Sequence, residues 1–81
     1  MAGNFTFEIV ETLGVVPSGG SMALELNRIK WGNRKAVLDL RKWDDTHTSM
    51  GKGFTLTEAE LKGLRDMLNS LFEDEEEEDE N

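Results

Sequence analysis

Period-2 segments joined by connectors too short to hold a helix leave this chain one kind of sheet. Phe5, Phe7 and Ile9 alternate with Thr6, Glu8 and Val10, and Val15 and Val16 extend the pattern, as in a strand with one face buried. Pro17-Ser18-Gly19-Gly20-Ser21 is a run of turn formers. From Met22 to Trp31 the alternation resumes, with Met22, Leu24 and Leu26 on one face and Ala23, Glu25 and Asn27 on the other. Gly32-Asn33 suits a hairpin turn. Arg34 to Trp43 then puts Ala36, Leu38 and Leu40 on one face and Lys35, Val37, Asp39, Arg41 and Trp43 on the other. Residues 44–53 read as a loop, followed by Phe54-Thr55-Leu56 as a short fourth strand. Parallel neighbours need a crossover connection of a dozen or more residues, so the sheet is expected to be antiparallel throughout.

Thr57 opens a helix through a capping box with Glu60, three residues on. At about 100° per residue, Leu61, Leu64, Met67, Leu68, Leu71 and Phe72 gather into an arc of roughly 140°. Lys62, Asp66, Asn69 and Ser70 lie opposite. One sheet contact does not need so wide a stripe, which predicts a helix shared between its own sheet and a second subunit. The chain has 81 residues, enough for one domain, and a domain of this size buries only roughly 60% of the surface its unfolded chain exposes. The expected fold is α+β: a four-stranded antiparallel sheet followed by one C-terminal helix, forming a homodimer. The helix is expected on the face bearing Phe5, Phe7, Ile9, Ala36, Leu38 and Leu40, leaving the opposite face open.

Charge divides the chain unevenly. The net charge is −8, from 17 acidic and nine basic residues, but Glu73 to Glu80 is an unbroken acidic run of eight. That leaves a neutral body, residues 1–72, expected to be the folded domain, and an acidic tail, residues 73–81, expected to be disordered. Within the body, residues 28–52 hold Arg28, Lys30, Arg34, Lys35, Arg41, Lys42 and Lys52 against Asp39, Asp44 and Asp45, a local net charge of +4. Both tryptophans, Trp31 and Trp43, lie in the same stretch. Cationic side chains track phosphates, and exposed aromatic rings stack on splayed bases. Arg41, Trp43, Lys35 and Lys52 are the principal candidate contacts, with Arg28, Lys30, Trp31 and Arg34 secondary. Strict alternation from Leu26 sends Arg28 and Lys30 to the core side and Ile29 and Trp31 to the open side, and a bulge near Asn27 would reverse both assignments.

The segments Leu26-Asn27-Arg28-Ile29-Lys30-Trp31, Asp39-Leu40-Arg41-Lys42-Trp43 and Met50-Gly51-Lys52-Gly53-Phe54-Thr55-Leu56-Thr57-Glu58-Ala59-Glu60-Leu61 resemble the bacterial YdbC-like branch of the positive-cofactor-four transcriptional coactivators. The likeness runs from about Phe5 to Leu71. It implies a homodimeric, largely sequence-independent single-stranded DNA-binding protein acting in transcription, replication or repair. The family's cationic strand positions match Lys35 and Arg41, its aromatic at the end of strand three matches Trp43, and its lysine between glycines matches Lys52. Trp31 falls near a family aromatic in the hairpin. The compact Gly32-Asn33-Arg34 hairpin and the acidic tail depart from the family pattern.

No enzyme is indicated. The chain has no cysteine, which removes disulfides, zinc ribbons and thiol nucleophiles. Gly51-Lys52-Gly53 lacks the Walker spacing and reads as a basic loop touching a backbone phosphate. His47 beside Asp44 and Asp45 reads as a polar turn, with no metal and no cofactor expected. No apolar run approaches the roughly 20 residues needed to cross a bilayer, and Met1 to Val10 does not resemble a secretory signal. A cytoplasmic location is therefore expected, nucleoid-associated if the source is bacterial. The tail can act as a solvated extension, or occupy the chain's own basic face or a protein partner. Two alternatives stay open: a protein interaction module built on the helix stripe and tail, and a binder of single-stranded RNA.

Overall fold

Alternating apolar side chains and short turns produce a meander whose strands pair only with their sequence neighbours. The computed structural model describes residues 6–73, so the expectations for Phe5 and for the tail beyond Glu73 lie outside the described residues. The elements are β1 (Phe7–Pro17), β2 (Met22–Trp31), β3 (Val37–Asp44), β4 (Met50–Leu56) and α1 (Glu58–Leu71). The sheet order is β1-β2-β3-β4, every pair antiparallel. An α+β chain with one helix after four strands is therefore what the sequence builds.

Boundaries shift in three places. β3 starts three residues later than the alternation predicts, because Arg34, Lys35 and Ala36 belong to the turn that Gly32, at φ 58°, and the bond from Arg34 N to Trp31 O initiate. β1 runs on to Pro17, and β4 begins at Met50. Residues 50–53 pair with β3 through a bulge between the Trp43–Met50 and Arg41–Gly53 partners, and such a bulge hides the alternation that marks a strand.

The register fixes the faces. Ala23, Glu25, Asn27 and Ile29 lie opposite Trp43, Arg41, Asp39 and Val37. Phe7 and Ile9 lie opposite Trp31 and Ile29. β2 carries no irregularity against β3, so strict alternation holds. Arg28 and Lys30 share a face with Leu24, Leu26, Leu38 and Leu40, and Trp31 shares the other with Ile29. Phe7 and Ile9 thus lie on the face away from Leu38 and Leu40, which corrects the expectation that the helix covers them. Alternation says which residues of one strand go together, and only pairing says which face they join.

That second face is not open either. Phe7 pairs with Trp31, while Trp43 pairs with Ala23, eight residues back along β2. On a flat sheet those positions stand roughly 26 Å apart. Yet the Phe7 and Trp43 ring centroids are 5.3 Å apart. The sheet is coiled so that this face folds onto its own side chains, helped by bulges in β1 at Ile9/Glu11 and Thr12/Gly14 and by the one between β3 and β4. Trp43, 1% exposed, and Ile29 form the centre of the resulting core, with Asn27 and Asp39 buried beside them.

The helix has its capping box: Glu60 N donates to Thr57 Oγ1 at 3.0 Å and Thr57 N donates to Glu60 Oε1 at 2.9 Å. No residue of α1 is buried. Leu61, Leu64 and Leu68 face Leu26 and Leu40 across a cleft of about 420 Å³. Among the described residues no helix is long and apolar enough to cross a membrane.

Because Trp43 is the largest fully buried side chain, Trp43→Ala is expected to cost about 3–5 kcal/mol, a large part of what a small domain has. The Trp43 indole N–H finds no partner among the described residues, so Trp43→Phe removes an unsatisfied donor and should cost markedly less. Urea midpoints of the two variants check this, and equal midpoints would contradict it.

Candidate nucleic-acid interface

The β2–β3 turn gathers one cluster of sites. Arg34 and Lys35 in the turn are exposed and Trp31 at the end of β2 is partly exposed, while exposed Lys30 lies on the opposite face. Trp31 is held from below: the Arg41 guanidinium carbon lies 4.9 Å from its ring centroid, and Phe7 tilts against it at 5.7 Å. Lys42, on the helix face opposite Leu24, and Lys52 on β4 are further cations. Both are exposed, and a Cβ added at Gly51 would lie 3.8 Å from Lys42 Cβ, an ordinary contact distance. Arg28 stands apart, with Nε 3.8 Å from Glu11 Oε1 on the helix face.

The other two principal candidates sit inside the fold. Trp43 is enclosed by Phe7 and by the His47 ring, whose centroid is 5.3 Å away. It is a core residue, which corrects its placement as an exposed ring on an open face. Arg41 is similarly committed: its Nε and Nη2 donate to the two carboxylate oxygens of Asp39 at 2.7 Å each. Its side chain is only 16% exposed. Coiling of the sheet withdraws both residues from solvent. Alternation cannot reveal that, because it reports side and not curvature.

Three features escaped the sequence reading. Asp39 and Arg41 are two apart on one strand, a spacing that puts them on one face, so the ion pair was visible in principle. Lys42 carried no mark beyond its charge. The contact between His47 and Glu25 joins residues 22 apart: Nε2 lies 2.9 and 3.0 Å from the two oxygens of Glu25. Asn27 Nδ2 donates to the same carboxylate at 3.0 Å. His47 therefore fastens the β3–β4 connection to the core, from a backbone at φ 60°. No local pattern signals so distant a partner.

Asp44 organises that connection internally. Its carboxylate accepts from Ser49 N and Thr48 N at 2.9 Å and from the Thr46 and Thr48 hydroxyls at 3.0 and 2.9 Å. The Ser49 amide is the largest influence, and with the weaker bonds from the Thr48 and Thr46 hydroxyls and the Thr48 amide it outweighs an opposing desolvation effect and holds the carboxyl down at about 2. No group of three or more His, Asp or Glu among the described residues is arranged to hold a metal ion.

An uncharacterized protein of Treponema pallidum (strain Nichols) is 42% identical over 69 residues, spanning 84% of this chain and 81% of the relative. The chain belongs to that protein's family. No family model matches.

Depression of the Asp44 pKa sets the sign of a pH effect. The stabilisation is complete above the ordinary carboxylate value of 3.8 and is lost as the pH falls through about 2. Asp44→Asn should accordingly be less stable than the parent near neutrality, with the gap closing in that acid range. Unfolding free energies measured against pH for both chains check it. A gap that stays constant down to the lowest pH would contradict the loop geometry.

Proposed function

We propose that the chain binds single-stranded nucleic acid, with little sequence preference, through the β2–β3 turn and the neighbouring lysines. The observation that carries this is the setting of Trp31, a partly exposed indole seated on Arg41 and followed by the exposed turn residues Arg34 and Lys35. An indole offers a stacking surface to any base, and flanking cations neutralise the phosphates on either side. Duplex keeps its base faces stacked, so single strands fit better. The resemblance to the positive-cofactor-four coactivators supports DNA as the strand and a role in transcription, replication or repair, in the cytoplasm. Lys52, exposed on β4, adds a further phosphate contact.

The same proposal includes a homodimer. Met67 and Leu71 of the helix are 57% and 65% exposed, and Leu68, Phe72 and Phe54 are exposed with them. A second copy of this surface would cover what the sheet leaves bare.

Fluorescence anisotropy against single-stranded DNA, single-stranded RNA and duplex DNA tests the binding. Single strands should be preferred, and Trp31→Ala should weaken binding by about 1–3 kcal/mol. Unchanged affinity in a folded variant would remove the stacking role, and preference for RNA would change the ligand. Sedimentation equilibrium should give twice the chain mass for the parent and a monomer for Leu71→Glu. A monomeric parent at micromolar concentration would rule out the dimer.

A further inference from the structure

Arg41 has the charge of a phosphate contact but the surroundings of a buttress. Both oxygens of Asp39, a residue with no exposed surface, take its Nε and Nη2 at 2.7 Å. Its Nη1 reaches Met50 Sδ at 3.2 Å and Gly51 O at 3.5 Å. The flat guanidinium lies against the Trp31 ring, 4.9 Å from its centroid. Gly53 keeps the route clear: a Cβ there would meet Arg41 Cβ and come within 2.6 Å of Leu40 O and 2.7 Å of Arg41 Nε. Two strands therefore shape a slot for this one side chain.

Resting on the single-stranded reading above, we infer that Arg41 is a positioning residue, which sets the orientation of the Trp31 indole for base stacking through Asp39 and over Gly53, and does not itself contact phosphate. Arginine suits this in a way lysine cannot. A planar fork can grip a carboxylate with one edge while its face lies on an aromatic ring. An indole already held in place loses less freedom when a base lands on it.

Phosphate contacts and positioning separate in the salt dependence. Each phosphate neutralised on a single strand contributes about 0.7 to the slope of log K against log salt. With an oligothymidine probe, Lys35→Ala should lower the slope by about that amount. Arg41→Lys and Asp39→Asn should each weaken binding about tenfold, the lower end of a lost stacking contact, with the slope unchanged. Arg41→Lys added to Trp31→Ala should cost nothing further. A slope reduced by about 0.7 in Arg41→Lys, or losses that add, would overturn the positioning role.

The unaltered protein supplies a measurement that does not depend on those variants folding. On titration with oligothymidine, the Trp31 indole N–H resonance should move while the Arg41 Nε–H resonance, bonded to Asp39, stays. Movement of Arg41 Nε–H together with a backbone amide set typical of phosphate binding would overturn the inference. Without any nucleic acid, Arg41→Lys should already shift the Trp31 indole resonance and leave that of Trp43 in place. Failure of the unaltered chain to bind any single strand, or binding with a static Trp31 resonance, would overturn the functional reading, whereas a Trp31 resonance that responds to oligothymidine but is untouched by Arg41→Lys would overturn only the part assigned to Arg41.

Discussion

A carboxylate with no exposed surface sits inside the coiled face of the sheet, and the rest of the structure is arranged around neutralising it. Burying Asp39 alone would be prohibitive, since an unpaired charge in an apolar interior costs several kcal/mol even after relaxation. Arg41 offsets that cost with two hydrogen bonds of 2.7 Å. The arginine reaches its place only because β4 offers Gly53 at the crossing point. One strand's acid, the same strand's base and the next strand's missing side chain thus form a single unit. Such a pair adds little net stability, because the Coulombic gain is spent on desolvation. Its contribution is to define one register of β3 against β4, since a slip by one residue would put a side chain where the guanidinium must pass.

The core around that unit is small, and its polar content explains how the sheet holds its curl. Among the described residues, buried Ile29 and Trp43 lie on this face beside buried Glu25, Asn27 and Asp39, while buried Leu38 lies on the other. Glu25 is tied to Asn27 and His47. The connection carrying His47 is in turn ordered by Asp44. Ring contacts run from Trp31 through Phe7 and Trp43 to His47, joining the two ends of β2 across the concave side. Curvature brings the candidate binding turn and the far loop onto one continuous aromatic row. The helix takes no share in that row. It lies over Leu26 and Leu40 on the other side, with its outer stripe directed away from the sheet.

Local chemistry made much of this legible. β2 ends where its alternation ends, at Met22 and Trp31, and the helix begins at the capping box that Thr57 and Glu60 spell out. These signals are carried by residues within a few positions of each other. Placement of Phe7, Trp43 and Arg41 depends instead on pairing and curvature, which arise from bulges at Ile9/Glu11 and Thr12/Gly14 that have no fixed sequence mark. An indole at a strand end with basic neighbours has the same local pattern whether it faces water, as Trp31 partly does, or fills a core, as Trp43 does. The candidate site was accordingly readable as a composition, while its division into surface cations and an internal buttress required the third dimension.

The bulges in β1 also bear on how the chain avoids its own kind. Among the described residues β1 pairs with β2 alone, so its outer edge presents backbone donors and acceptors, and Val10, Leu13, Val15 and Val16 are all exposed along it. An edge of that length and composition invites another strand to dock and the sheet to grow without limit. Two extra residues, one near Val10 and one near Leu13, interrupt the regular spacing of those groups and add local twist. A straight incoming strand cannot match such a broken row. The irregularities that let the sheet coil therefore also blunt its edge against fibrous assembly, which matters in a chain with so much bare apolar surface.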